Sequence, residues 1–161
     1  MRSLPVFFIL IFTYSVSQVN YQKDDSKIEQ KNYFNEEKVK RQLDSLNNTT
    51  PIDLLYNKEV AQQIKFYLFQ KPEQVSRLLA LSKYYFPVFE EILDKNNLPL
   101  ELKYLPIIES SLNPNARSYA GAVGLWQFMY LTAKEYGLRI NTYLDERKDT
   151  YKSTQAACDY L

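Results

Sequence analysis

The chain has 161 residues, enough for one domain with extensions. Charged residues make up 24% and the formal net charge is +1, so no global signature of nucleic-acid or acidic-surface binding is present. Histidine is absent and Cys158 is the single cysteine. That excludes histidine-based metal sites, Ser–His or Cys–His catalysis and an internal disulfide, and leaves carboxylates, hydroxyls, amides and aromatics to carry any chemistry.

At the N-terminus, Arg2 precedes an apolar run from Leu4 to Phe12, followed by Ser15-Val16-Ser17. A positive end, a short hydrophobic stretch and a small-x-small site make residues 1–17 read as a secretory signal peptide. The run is shorter than the roughly 20 apolar residues that span a bilayer. No cysteine follows it to take a lipid. The expected location is therefore across the inner membrane, in the periplasm or cell envelope; membrane association is left open without a lipid-attachment cysteine. Residues 18–50 are polar and read as a flexible leader. Within it, Val39, Leu43 and Leu46 have the spacing of a short amphipathic helix.

From Pro51 the pattern is helical, and residues 51–97 read as a helical extension. Val60, Ile64 and Leu68 recur every four residues. Pro72 suits the first turn of the next helix, which carries Val75, Leu78, Leu79 and Tyr85. Pro87 is expected to kink or restart it before Phe89, Ile92 and Leu93, and Asn96-Asn97 is a break. Pro99 then opens a helix towards Ser111, ended by Asn113-Pro114-Asn115. Gly121 and Gly124 bracket an irregular segment with a small β-like element near 121–128. Leu131 to Tyr136 reads as a short helix capped by Gly137, and Ser153 starts a last helix that reaches the end of the sequence. The fold class expected is all-α.

One residue type sits where apolar side chains are expected. At about 100° per residue, Leu98, Leu102, Leu105 and Glu109 share one stripe of the helix from Pro99. A glutamate there should be desolvated, which favours its protonated form, and the negative end of the helix dipole acts in the same direction. Such a group can donate a proton to a leaving oxygen. Two structural readings stand beside this one: Glu109 reaches past the stripe to solvent, or pairs with an arginine such as Arg117. Pro106, three residues earlier, is expected to kink the helix.

The run Leu98-Pro99-Leu100-Glu101-Leu102-Lys103-Tyr104-Leu105-Pro106-Ile107-Ile108-Glu109-Ser110 resembles the first motif of the soluble-lytic-transglycosylase domain. Asn113-Pro114-Asn115-Ala116-Arg117-Ser118 and Gly121-Ala122-Val123-Gly124-Leu125-Trp126-Gln127-Phe128-Met129 resemble the second. Tyr136-Gly137-Leu138, Asp145-Glu146-Arg147 and Ser153-Thr154-Gln155-Ala156-Ala157 extend the match. The pattern is most similar to the membrane-bound lytic murein transglycosylase D group, and is dense over residues 98–161 and looser back to Pro51.

The resemblance implies a lysozyme-like α-rich domain that cleaves peptidoglycan between N-acetylmuramic acid and N-acetylglucosamine, leaving 1,6-anhydro ends. It implies Glu109 as the single catalytic acid/base, with Ser118, Gln127 and Met129 binding substrate. No cofactor and no metal are implied, and the partner is the glycan strand rather than nucleic acid. Gln127 offers both donor and acceptor to a sugar, the glycines allow close backbone approach to a ligand, and Trp126 reads better as core than as a sugar platform. Asp145 and Glu146 read as surface or capping groups. Tyr130-Leu131 departs from the proline that often follows the methionine. The family's third motif, a Tyr-Asn-Ala-Gly type segment, does not occur, so the domain is expected to be incomplete at its C-terminus. A hydrolytic muramidase and a non-catalytic peptidoglycan-binding protein are the alternatives.

Overall fold

The computed structural model describes residues 34–48, 50, 51 and 53–161. The proposed signal peptide lies outside the described residues. Among those residues the fold is all-α, as expected: helices joined by irregular turns, with isolated β-bridges and no named strand. The chain divides into two compact units, residues 1–79 and 80–161.

In the first unit, α1 (Glu36–Asn47) is the helix expected inside the polar leader. Asn35 caps it by accepting from Lys38 N, and its apolar stripe buries Val39 and Leu43. Asn47 then grips the following segment, donating to Leu54 O at 3.1 Å and accepting from Leu54 N at 2.8 Å. Helix α2 (Lys58–Lys65) is capped by Asn57 and buries Val60, Ala61 and Ile64. Leu68 does not continue this stripe as a buried residue. The backbone widens into a π-helical turn at Phe66–Gln70, which rotates the side chains out of the four-residue register.

Helix α3 (Pro72–Lys95) starts at the expected proline, where the missing N–H costs nothing. It runs through Pro87 without the expected restart. Pro87 lies on the exposed face beside Lys83 and Tyr84, so the lost hydrogen bond falls on the solvent side. The opposite face buries Tyr85, Phe86, Phe89, Ile92 and Leu93. Phe89 is fully buried, with ring contacts to Tyr85, Phe86 and Trp126.

The helix expected from Pro99 to Ser111 is two elements: a 3-10 turn at Leu100–Tyr104 and helix α4 (Leu105–Ser110). Pro106 therefore occupies the first turn of α4 rather than kinking a long helix. A 3-10 turn advances about 120° per residue instead of 100°, so a stripe counted across the junction loses register. Tyr104, Pro106 and Ile107 are buried, while Leu98, Leu102 and Leu105 are half-buried. The chain leaves α4 through two successive left-handed residues, Ser111 (φ 52°) and the buried Leu112 (φ 57°).

The segment after α4 holds the expected β-like element as two bridges, Arg117 with Val123 and Val123 with Phe128. Helix α5 (Tyr130–Glu135) matches the sequence reading closely. Gly137 (φ 78°) closes it, with Leu138 N donating to Ala133 O at 2.8 Å. Helix α6 (Thr150–Tyr160) begins three residues before the expected Ser153, because Asp149 accepts from Lys152 N and serves as its cap. Ser153 is instead buried in the first turn. Phe128, Ala133, Leu138, Ala156 and Ala157 form one apolar cluster, with Trp126 packed against it.

Candidate active site

In the second unit, a cleft of about 260 Å³ opens beside the end of α4. Leu105 and Glu109 from α4, the run 126–129, Thr132 of α5, and Ala157, Tyr160 and Leu161 line it. Of the four residues singled out for function, Glu109, Gln127 and Met129 meet here. Ser118 does not line the cleft. Its Oγ accepts from Ala122 N at 3.0 Å and its N–H donates to Ala122 O at 2.9 Å, so it shapes the turn below.

Glu109 is exposed, which corrects the burial expected from the stripe. Pro106 and Ile107 are the buried residues of this short helix, and Leu105 and Glu109 line the cleft. Glu109 is not ion-paired among the described residues, with Arg117 or any other cation. Ser110 fixes the helix end: its hydroxyl lies 2.8 Å from Pro106 O and 3.0 Å from Leu125 O. The acid is thereby tied to the backbone of the loop that carries the other cleft residues.

Gln127 has a left-handed backbone (φ 49°). Its side-chain amide nitrogen donates to Gly124 O at 2.8 Å and to Ala116 O at 3.3 Å. Both N–H groups thus face carbonyls of the protein, which corrects the expected dual role. Oε1 is what remains for a ligand, as an acceptor only. Met129 is exposed at the cleft edge, with backbone N–cap geometry at the start of α5. Trp126 combines two roles: its indole packs on Phe89, donates to Thr154 Oγ1 at 2.9 Å, and also forms part of the cleft wall.

Gly124 does not approach a ligand, as its sequence position suggested. It is buried against the chain's own backbone, and a Cβ there would lie 1.9 Å from Arg147 O. Gly121 has open space around it, although its φ of 90° still requires glycine-like freedom.

The capping reading holds for Asp145, whereas Glu146 is not a surface group. Glu146 is buried, paired with Arg139 and Lys152, and accepts from Arg139 N at 2.7 Å. The Arg139 and Lys152 side chains and that N–H hold its carboxyl down at about 2. Asp145 caps the 3-10 turn Glu146–Lys148 and binds the buried Arg147 guanidinium, which holds its carboxyl below the usual range. The sequence reading did not single out Arg147, which is buried and donates to Gly121 O and Phe128 O. Its neighbours in sequence gave no sign that its side chain turns inward to loop carbonyls.

Residues 86–161 match the family described as the transglycosylase SLT domain. The family resemblance read from the motifs therefore stands over this part of the chain. The membrane-bound lytic murein transglycosylase D of Escherichia coli strain K12 is 34% identical over 105 residues, covering 65% of this chain and 23% of the relative. The same protein from Escherichia coli O6:H1 strain CFT073 gives the same values. A protein of Alteromonas sp. strain M-1, named for tributyltin chloride resistance, is 38% identical over 78 residues, 48% of this chain and 37% of its own. The chain thus spans about a quarter of the length of the E. coli relatives.

Proposed function

We propose that this chain carries the acid-bearing part of a lytic transglycosylase acting on peptidoglycan. Glu109 is the only acidic residue among those described as lining the cleft, and this observation carries the reading. Hydrolytic glycosidases ordinarily need two carboxylates across the scissile bond. A one-carboxylate cleft suits a reaction in which the substrate supplies its own nucleophile.

In that reaction Glu109 first gives its proton to the oxygen bridging N-acetylmuramic acid and N-acetylglucosamine, and the C1–O bond breaks. The substrate's N-acetyl group stabilises the cationic centre. The Glu109 carboxylate then takes the proton from the C6 hydroxyl of the muramic residue as that oxygen closes onto C1. Glu109 ends protonated as it began, and no water is consumed. Gln127 Oε1 accepts from a sugar hydroxyl or amide, and the Met129 backbone lies at the same wall. A seated glycan also excludes the water that reaches Glu109 in the open cleft. Ser118 acts through the turn it holds.

The relative's name describes it as membrane-bound and acting on murein. Together with the signal-peptide pattern at residues 1–17, this supports an envelope location. No described helix is long and apolar enough to cross a membrane.

The test is digestion of purified sacculi, with products identified by mass spectrometry. Glycan ends one water lighter than hydrolytic ends are expected. Glu109→Gln should lower the rate about 10²–10⁴-fold, the usual range for removing a general acid/base. Products with reducing ends would establish a muramidase instead. Binding to sacculi with no soluble product would establish a binding protein.

A further inference from the structure

We propose that Arg147 is the positioning residue of the substrate-contact loop, holding Gln127 and Met129 at the distance from Glu109 that glycan binding needs. The inference rests on the reading of the cleft given above and adds a residue that does not line it.

Arg147 is buried, and its planar guanidinium is used from both edges. Nε donates to Asp145 Oδ1 at 2.8 Å and one terminal nitrogen donates to Asp145 Oδ2 at 2.7 Å. The other terminal nitrogen donates to Gly121 O and to Phe128 O, both at 3.3 Å. Those two carbonyls stand at the two ends of the loop 121–128. Between them, Gly124 rests on the backbone carbonyl of the same arginine. One residue therefore clasps the loop at its entry, middle and exit.

The opposite side of the loop is tied to the acid, through Ser110 Oγ at 3.0 Å from Leu125 O. Gln127, whose own amide is anchored on Gly124 O and Ala116 O, has its position set by this clasp. Asp145 fixes the guanidinium plane by a two-point pair, so that the remaining N–H groups point at the carbonyls. Lysine keeps the charge but has no fork, and cannot serve Asp145 and both carbonyls at once.

The test uses the full chain with Arg147→Lys and Asp145→Asn, and has two readouts. Trp126 is the single tryptophan of the sequence and sits within the clasped loop. Its emission and its quenching by acrylamide report loop position without reference to activity. Both variants are expected to increase quenching at unchanged far-ultraviolet helicity. The second readout is kinetics on solubilised glycan strands, with binding of N-acetylglucosamine tetramer followed by Trp126 emission. A rise of about tenfold in KM and in the tetramer Kd, with kcat within about twofold, is the expected split for lost ground-state positioning.

If Arg147→Lys fails to fold, Asp145→Asn, which retains the arginine, carries the test. Wild-type quenching and unchanged KM in a folded variant would overturn the proposal. A fall in kcat alone would overturn it equally. If the wild-type chain releases no product, the functional reading fails, while the Trp126 and tetramer measurements still decide the role of Arg147.

Discussion

Gly124 lies so close to the carbonyl of Arg147 that a single methyl group has no room: its carbon would stand 1.9 Å from the oxygen and 2.8 Å from the carbonyl carbon. The atoms in the way are backbone, so no side-chain rotation relieves the clash. Two glycines three residues apart, both at φ 90°, therefore differ in kind. Gly124→Ala combines the left-handed penalty with overpacking and should destabilise the fold by about 3 kcal/mol or more. Gly121→Ala meets only the conformational penalty, about 1–2 kcal/mol. Urea denaturation of the two variants checks the order, and equal losses would refute the contact.

Gln127 gives a second contrast. Its amide nitrogen faces two carbonyl oxygens, Gly124 O and Ala116 O. Gln127→Glu replaces that donor with an oxygen and sets like partial charges together. The expected cost is about 1–3 kcal/mol, the range for leaving partly buried polar groups unsatisfied. A residue that only touched ligand would change binding without changing stability. Comparing the unfolding midpoint of Gln127→Glu with that of wild type, without any glycan present, separates the two.

Glu146 sets an acid limit on the fold. Its carboxyl is held at about 2 when folded, against an ordinary value of 4.5. A depressed folded value means that the unfolded chain binds the proton more readily. The contribution to stability is therefore complete above about 4.5 and is lost as the pH falls from there towards about 2. Asp145 shifts in the same direction through Arg147. Thermal midpoints measured from pH 7 down to pH 3 should fall mainly below pH 4.5. Glu146→Gln should start lower and lose less over that interval, and a parallel decline would contradict the assignment.

Local signals were readable where the sequence itself determines geometry. Pro72 opens α3, Gly137 closes α5, and Val39 and Leu43 mark a buried stripe inside an otherwise polar stretch. The residues that the family resemblance singled out, Glu109, Gln127 and Met129, do line one cleft. What escaped depends on events between elements. The change from 3-10 to α winding before Leu105 altered the facing of Glu109, and no residue there announces it. Pro87 looked disruptive because periodicity does not say which face water will occupy. The burial of Glu146 depends on Arg139 and Lys152, seven and six residues away: Arg139 meets it across the turn at 141–144, and Lys152 from the start of α6. The surroundings of Ser118 and Arg147 escaped for the same reason: one hydrogen-bonds within its own turn, the other reaches 26 residues back to Gly121.

The bond from the Trp126 indole to Thr154 joins positions 28 residues apart. A chain emerges in order, whether from a ribosome or from a translocation pore. When the loop bearing Gln127 first appears, the hydroxyl that receives its tryptophan does not yet exist outside. The wall of the cleft therefore waits for α6, and its assembly is timed by that helix rather than by the segment that holds Glu109.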